Sequence, residues 1–261
     1  MTAVCQKKTD VNHKIKQFFR LFLWSHIIYY CMAESGPQTC ETFVYDVSCF
    51  DLLTVKEREL VDSTSLTVNY KKGETICKQR AFASHIMYIE KGLVKVYLEG
   101  PPKDLILTIT PKNNLIGLQS IYEGNNKFLY SVSTYTDTSV RMLDIQVFKQ
   151  LLRQNAVFAY RIINILNESI AQGYGRFFSL TQKQLHGRLA DILLCLSRKI
   201  FKSDSFDLPL SRSDLSDLTS MSTESVIRIM KDFKDDGIIE TNNKSIVLLD
   251  IPRLERISEK G

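Results

Sequence analysis

Residues 211–250 read "SRSDLSDLTSMSTESVIRIMKDFKDDGIIETNNKSIVLLD". Ser211 followed three residues later by Asp214 has the form of a capping box, in which each side chain satisfies an N–H group at a helix start. Leu215 and Leu218 then face one way, into a core. The stretch "TSMS" (219–222) suits only a tight helix–helix turn. Ser222 caps a second helix, Thr223 to about Asp235, whose buried face is Val226, Ile229, Met230 and Phe233. Two short helices so joined form a helix-turn-helix. After Gly237, "IIE", "TNNK" and "SIVLL" read as strand, polar turn and strand, a hairpin placed as the wing of a winged helix.

The second helix leaves Glu224, Ile227, Arg228 and Lys231 on one outward face, at i, i+3, i+4 and i+7, with Thr223 at its tip. In a helix-turn-helix these N-terminal positions meet base edges in the major groove. Arg228 can donate two hydrogen bonds to guanine and Glu224 can accept from a cytosine amino group. Ile227 can touch a thymine methyl. Lys231, Ser211 and Ser222 suit phosphate contact. The competing reading of Glu224 and Arg228 is a solvated i,i+4 ion pair. Bulk charge does not choose between them. The formal net charge is +5, and residues 1–31, with five Lys/Arg and one Asp, hold +4 of it. Nucleic-acid binding must therefore rest on local geometry.

Upstream, "LTQKQLHGRLADILLCLSRKI" (180–200) has the pattern of an amphipathic helix. Before it, "AVFAYRIINILNESIAQGYGRFFSL" (156–180) predicts a long helix, with Phe158, Ile162, Ile165, Ser169 and Gln172 at three- and four-residue steps. Its apolar face is wider than one packing partner requires, and a second copy of the helix would cover the surplus. A core helix of a single domain is the competing reading. Residues 65–145 are short Val-, Ile-, Tyr- and Thr-rich runs separated by glycines, which indicates a β-sandwich or β-roll. Residues 50–64 read as one short amphipathic helix with Thr54 as its N-cap. The expected fold is α+β. A leader occupies 1–39, a β-roll 40–152, a dimerisation helix 153–178 and a winged helix-turn-helix 179–261.

"LPLSRSDLSDLTSMSTESVIRIMKDFKDDGIIE", with "LTQKQLHGRLADILLCLS" before it, resembles the DNA-binding half of the cyclic-AMP receptor protein / fumarate-nitrate reductase regulator (CRP/FNR) family. "YKKGETI", "HIMYIEKGLVKVYLEG" and "NNLIGLQSIY" resemble that family's cyclic-nucleotide-binding-like β-roll. The resemblance runs from about residue 40 to the end. It implies a dimeric transcription regulator, not an enzyme, in which an effector in the roll reorients the DNA-binding domains. The implied partners are double-stranded DNA with a two-fold symmetric operator, a second copy of the chain, RNA polymerase and a small-molecule effector. Glu224 and Arg228 match the family's recognition pattern, while Thr223 stands where an Arg is usual and Ile227 where the oxygen-responsive branch has Ser. The half-site is therefore expected to share the family's G·C core and to differ at a flanking position.

The effector site departs further. Relatives that bind cyclic AMP carry a Glu after the "IG" turn and then an Arg-Ser pair for the cyclic phosphate. This chain has Leu118 and Phe128-Leu129 there. A cyclic phosphate would have no arginine to pair with, so cyclic AMP is not the expected ligand. The expected pocket is apolar, drawn from Tyr88, Tyr97, Leu118, Ile121, Phe128 and Tyr130. The competing reading is that these side chains simply fill the roll. The oxygen-sensing branch binds an iron–sulfur cluster through Cys-x2-Cys-x5-Cys and one distant Cys. Cys40 and Cys49 hold the first and third positions, and Phe43, which cannot bind iron, holds the second. His85 and His186 are isolated. A haem or iron–sulfur cluster is disfavoured, and no cofactor or metal ligand is identified.

The six cysteines are scattered and do not form a disulfide framework. The leader "IKQFFRLFLWSHIIYYCM" follows a basic start, but Arg20 and His26 interrupt it and it is shorter than the roughly 20 residues a membrane span needs. It reads as a marginal helix, a disordered leader, or sequence ahead of a native start at Met32. No membrane association is expected, and the chain reads as cytoplasmic. The alternative in function is a small-molecule-binding or enzymatic β-roll protein whose C-terminal domain only mediates protein contacts. A metal-dependent enzyme of that kind needs clustered His and carboxylate ligands, and the strands offer His85 alone.

Overall fold

Strand alternation builds the first half of the chain. The computed structural model describes residues 49–261, apart from 102, 243, 244 and the side chain of 260. The leader, Met32, Cys40 and Phe43 lie outside these residues. Eight strands form two antiparallel four-stranded sheets: β1 (Leu66–Tyr70), β2 (Thr75–Cys77), β3 (His85–Lys91), β4 (Leu93–Leu98), β5 (Leu105–Pro111), β6 (Asn114–Ile116), β7 (Ser131–Thr134) and β8 (Thr138–Asp144). The sheet orders are β1-β8-β3-β6 and β2-β7-β4-β5, and the chain crosses between them at Gly92. There φ is +104°, and a Cβ would meet backbone and side-chain atoms of Thr138 closer than real contacts allow, so this corner requires glycine. Successive side chains on a strand face opposite ways. Met87, Ile89, Val94, Val96, Val132 and Val140 fill the space between the sheets. Ile86 and Tyr88 face the helices instead.

The helix expected over 50–64 is divided. A 3-10 turn covers Cys49–Leu52 and α1 covers Val55–Thr64. The break follows from Thr54, whose hydroxyl accepts from the Glu57 N–H while the Glu57 carboxylate returns to the Thr54 N–H, a complete capping box. Of Phe50, Leu52, Leu53, Leu60 and Val61, the apolar face the sequence predicts, Leu53 and Val61 are buried and Leu52 is exposed.

Helix α2 (Ile145–Gln154) leads through Asn155 into α3 (Ala156–Gln182), 27 residues long, or about 40 Å. Asn155 caps α3 by accepting from the Phe158 N–H and also donates to the Leu52 carbonyl. Phe158, Ile162 and Ile165 are buried within the same chain, against Phe148, Leu118, Leu143 and Ile86. The Phe158 and Phe148 rings meet edge-on at 5.5 Å. The assignment of these three residues to a dimer face is thereby corrected, because the β-roll already covers them. Ser169, on the same side, bonds back to the Ile165 carbonyl at 2.9 Å.

At Lys183 the backbone turns extended, with ψ 147°, and α3 ends. The single helix expected over 180–200 is therefore split between the end of α3, α4 (Leu185–Cys195) and a π-helical turn, Leu196–Phe201. Strand β9 (Ser205–Asp207), α5 (Arg212–Thr219), α6 (Thr223–Asp235), β10 (Ile239–Asn242), β11 (Ser245–Leu248) and α7 (Ile251–Lys260) complete the chain. Their core is Leu189, Leu193, Leu215, Val226, Ile229 and Phe233 with neighbours. It is continuous with Leu93, Ile106, Ile109 and Tyr135 of the roll.

Candidate nucleic-acid interface

Each helix of the helix-turn-helix begins on a serine. The Ser211 hydroxyl accepts from the Asp214 N–H at 3.1 Å and donates to its carboxylate at 2.7 Å, and the carboxylate accepts from the Ser211 N–H at 2.9 Å. Helix α5 ends at Ser220 in the left-handed region, φ 51°. Met221 then buries its side chain, and Ser222 starts α6 by accepting from the Ser225 N–H at 3.2 Å. Val226, Ile229, Met230 and Phe233 are all buried. Glu224, Ile227, Arg228 and Lys231 are all exposed, with Thr223 half-buried at the tip. The Glu224 carboxyl is held below the ordinary range by its own backbone N–H and then by the Ser222 hydroxyl, so it is an ionised acceptor. Strands β10 and β11 pair antiparallel from Ile239↔Leu248 to Asn242↔Ser245, with β9 on the outer side of β11. The hairpin therefore stands where a wing is expected.

Ser211 is placed differently from Ser222. It shares a groove with Lys72 of the roll, and α5 packs on β5. Lys95 reaches Asp214 at 3.4 Å from beneath the rings of Tyr97 and Tyr135. Lys103 donates to the Met221 carbonyl at 2.6 Å. Arg176, buried on α3, donates to the Ile106 carbonyl of β5 at 3.2 Å and to the Leu218 carbonyl of α5. Ser211 is exposed, its hydroxyl holds a helix cap as that of Ser222 does, and the phosphate role expected of it stays a proposal. Sequence reading missed Lys95, Lys103 and Arg176, because the bonds they make span 42 to 119 residues.

The six residues expected to line one apolar pocket fall into three groups. Phe128 and Tyr130 lie inside the roll. Tyr88, Leu118 and Ile121 pack on the helix side, with Tyr88 edge-on to Phe50 at 5.0 Å. Tyr97 packs toward the DNA-binding core. The single-pocket expectation is corrected by strand alternation, which sends Tyr88 and Tyr97 away from the interior. At the turn after β6, Gly117 adopts φ +98°, and the Phe128 ring lies 3.5 Å from where its Cβ would stand. The Gly117 N–H donates to the Tyr130 hydroxyl at 2.9 Å, and that hydroxyl donates to Gln119 at 2.8 Å. Burial pushes the Tyr130 phenol up, which keeps it protonated as a donor. The chain's own side chains thus fill this turn.

Burial pushes the Cys49 and Cys77 thiols up to about 12, which disfavours the thiolate that both alkylation and metal binding require. Cys49 in the folded protein is expected to resist iodoacetamide at mildly alkaline pH and to react on denaturation, as peptide mass spectrometry would record. Among the described residues, no group of three His, Cys, Asp or Glu side chains converges as a metal site, and no helix is long and apolar enough to cross a membrane.

A sensor-like β-roll joined through a long helix to a winged helix-turn-helix defines a class, the two-domain DNA-binding transcription regulators. The sequence matches the family described as cyclic nucleotide-binding domain over residues 67–155 and the Crp-like helix-turn-helix domain over residues 187–257. It is 24% identical over 183 residues to the cAMP-activated global transcriptional regulator CRP of Salmonella typhimurium, covering 69% of this chain and 87% of that one. It is 22% identical over 204 residues to the anaerobic regulatory protein of Bacillus subtilis, covering 76% and 86%. Its fold is similar to that of FixK2 from Bradyrhizobium japonicum, with a TM-score of 0.68, 20% identity and coverage of 74% and 96%. The chain belongs to the CRP/FNR family of transcription regulators. Its relatives are regulators, not enzymes.

Proposed function

We propose that the protein is a homodimer that reads a two-fold symmetric operator through α6 and responds to an effector other than cyclic AMP. The observation that carries the base readout is the outward face of α6, where Glu224, Ile227, Arg228 and Lys231 are all exposed above a fully buried opposite face. Thr223, Glu224, Ile227 and Arg228 are the base-reading set. Ser222 and Lys231 are placed for phosphate. Support for the dimer comes from the side of α3 turned away from the roll. Tyr160, Ile163, Asn167, Ile170, Tyr174 and Phe177 alternate in steps of three and four, the seam spacing of a coiled coil. Tyr160, Tyr174 and Phe177 are 67%, 72% and 70% exposed, whereas a seam would bury them.

The reading against cyclic AMP rests on the turn at Gly117. Phe128 occupies the position of the phosphate-binding arginine, and the Tyr130 hydroxyl holds the Gly117 N–H. A cyclic phosphate there would be an unpaired charge. Lys95, Lys103 and Arg176 are the bonds through which a change in the roll would reach α5. The protein would act in the cytoplasm, with RNA polymerase as its partner at a promoter.

The test is a mobility shift or anisotropy titration against the DNA upstream of its own operon. Arg228→Ala is expected to cost about 1–3 kcal/mol of operator binding and to relax specificity at one G·C pair. Added cyclic AMP is expected to leave the binding curve in place. Unchanged binding by Arg228→Ala, or a cyclic-AMP-dependent shift, would count against the corresponding half of the proposal.

A further inference from the structure

Asp232 lies four residues beyond Arg228 on α6, so the two side chains share a face. Arg228 Nη1 stands 3.6 Å from Asp232 Oδ2. The same oxygen is 3.3 Å from Nε2 of His186, in the first turn of α4. The His186 ring packs edge-on against Phe233 at 5.9 Å, and Phe233 is buried. One carboxylate oxygen therefore lies beside side-chain nitrogens from two helices. The guanidinium on the outward face already has an anionic partner before any DNA arrives.

We propose that Asp232, steadied by His186, is a specificity-determining positioning residue for base readout by Arg228. The proposal rests on the reading of Arg228 as a base contact. An unrestrained guanidinium near DNA pairs with whatever phosphate it reaches, and phosphate contacts carry no sequence information. Asp232 competes with those contacts, and its own charge is repelled by the backbone. A guanine edge offers two acceptors in the geometry of the guanidinium fork, and only such a bidentate contact compensates for leaving the carboxylate. Asp232 therefore lowers affinity for every duplex while widening the gap between right and wrong sites. An exposed ion pair of this spacing contributes little to folding, so its effect falls on recognition.

The experiment uses an operator that the wild-type full-length protein selects from a random-sequence duplex library, and variants of it with each G·C pair changed in turn. Competition binding gives the affinity ratio of operator to altered duplex for each protein. Arg228→Ala identifies the pair that Arg228 reads. At that pair, Asp232→Asn is expected to bind the altered duplex more tightly. Its discrimination should fall about two- to fivefold, the scale of an exposed i,i+4 pair plus part of a bidentate contact. Asp232→Glu should restore part of the ratio, and His186→Gln should shift it in the direction of Asp232→Asn by less. The thermal unfolding midpoint of Asp232→Asn should match the wild type. A preserved ratio, or an equal loss of affinity for both duplexes, would overturn the role of Asp232. If Arg228→Ala itself leaves every ratio unchanged, the base-reading assignment fails and this inference fails with it.

Discussion

Replacing Asp191 by alanine is expected to destabilise the protein by about 3–5 kcal/mol, the scale for breaking a buried ion pair from one side. Asp191 is fully buried in α4, and Lys183 is buried beside it where α3 ends. Lys183 donates to Asp191 Oδ1 at 2.8 Å, Ser179 donates to Oδ2 at 2.8 Å, and Ser258 of α7 donates to Oδ1 as well. One carboxylate thus joins α3, α4 and α7 at the junction between the long helix and the DNA-binding domain. Alanine removes the one carboxylate onto which Lys183, Ser179 and Ser258 all donate, so three buried donors lose an acceptor at once. In a chain of this length the thermal midpoint should fall by roughly 10 °C or more. The double variant Asp191→Leu with Lys183→Met removes both charges and should recover most of the loss, because a buried pair gains little over well-packed apolar side chains. A drop of under about 1 kcal/mol for Asp191→Ala would mean that water or another group already satisfies Lys183.

The winged helix-turn-helix was legible in the sequence because its information is local. Ser211 and Ser222 mark helix starts by hydroxyls that bond three residues ahead, Asp214 bonds back to Ser211, and the 226/229/230/233 spacing fixes the buried face of α6. The α3 helix was not legible in the same way. Both of its sides carry large apolar residues at three- and four-residue steps, and polarity points the wrong way toward its C-terminal end. Gln172, Arg176 and Ser179 are buried while Tyr174 and Phe177 are exposed. Arg176 can be buried because backbone carbonyls from β5 and α5 accept its protons, and those acceptors are invisible from α3 alone. The effector residues failed for a simpler reason. Composition marked Tyr88 and Tyr97 as apolar strand residues, but the alternation that turns them outward depends on registers such as Met87↔Met142 and Val96↔Val132. The His186–Asp232 contact was hidden because it joins residues 46 apart.

Ile163→Glu combined with Ile170→Glu is expected to convert the proposed dimer to a monomer without unfolding it. Both isoleucines are about half exposed in the single chain, at 53% and 52%, so each has roughly half its side chain left to bury. Full burial of an Ile contributes about 1.5–3 kcal/mol, and half of that over four side chains in a symmetric pair comes to about 4 kcal/mol. That alone weakens association about a thousandfold, before the repulsion of facing carboxylates is added. Phe158→Ala provides the opposite outcome on the same helix. Phe158 is fully buried against the roll, so its truncation should cost about 3–5 kcal/mol of folding stability and leave association of the remaining folded protein intact. Analytical ultracentrifugation paired with thermal denaturation separates the two faces. If the double glutamate variant still sediments as a dimer, the 160–177 seam is not the interface, and the exposed aromatics of α3 serve some other contact.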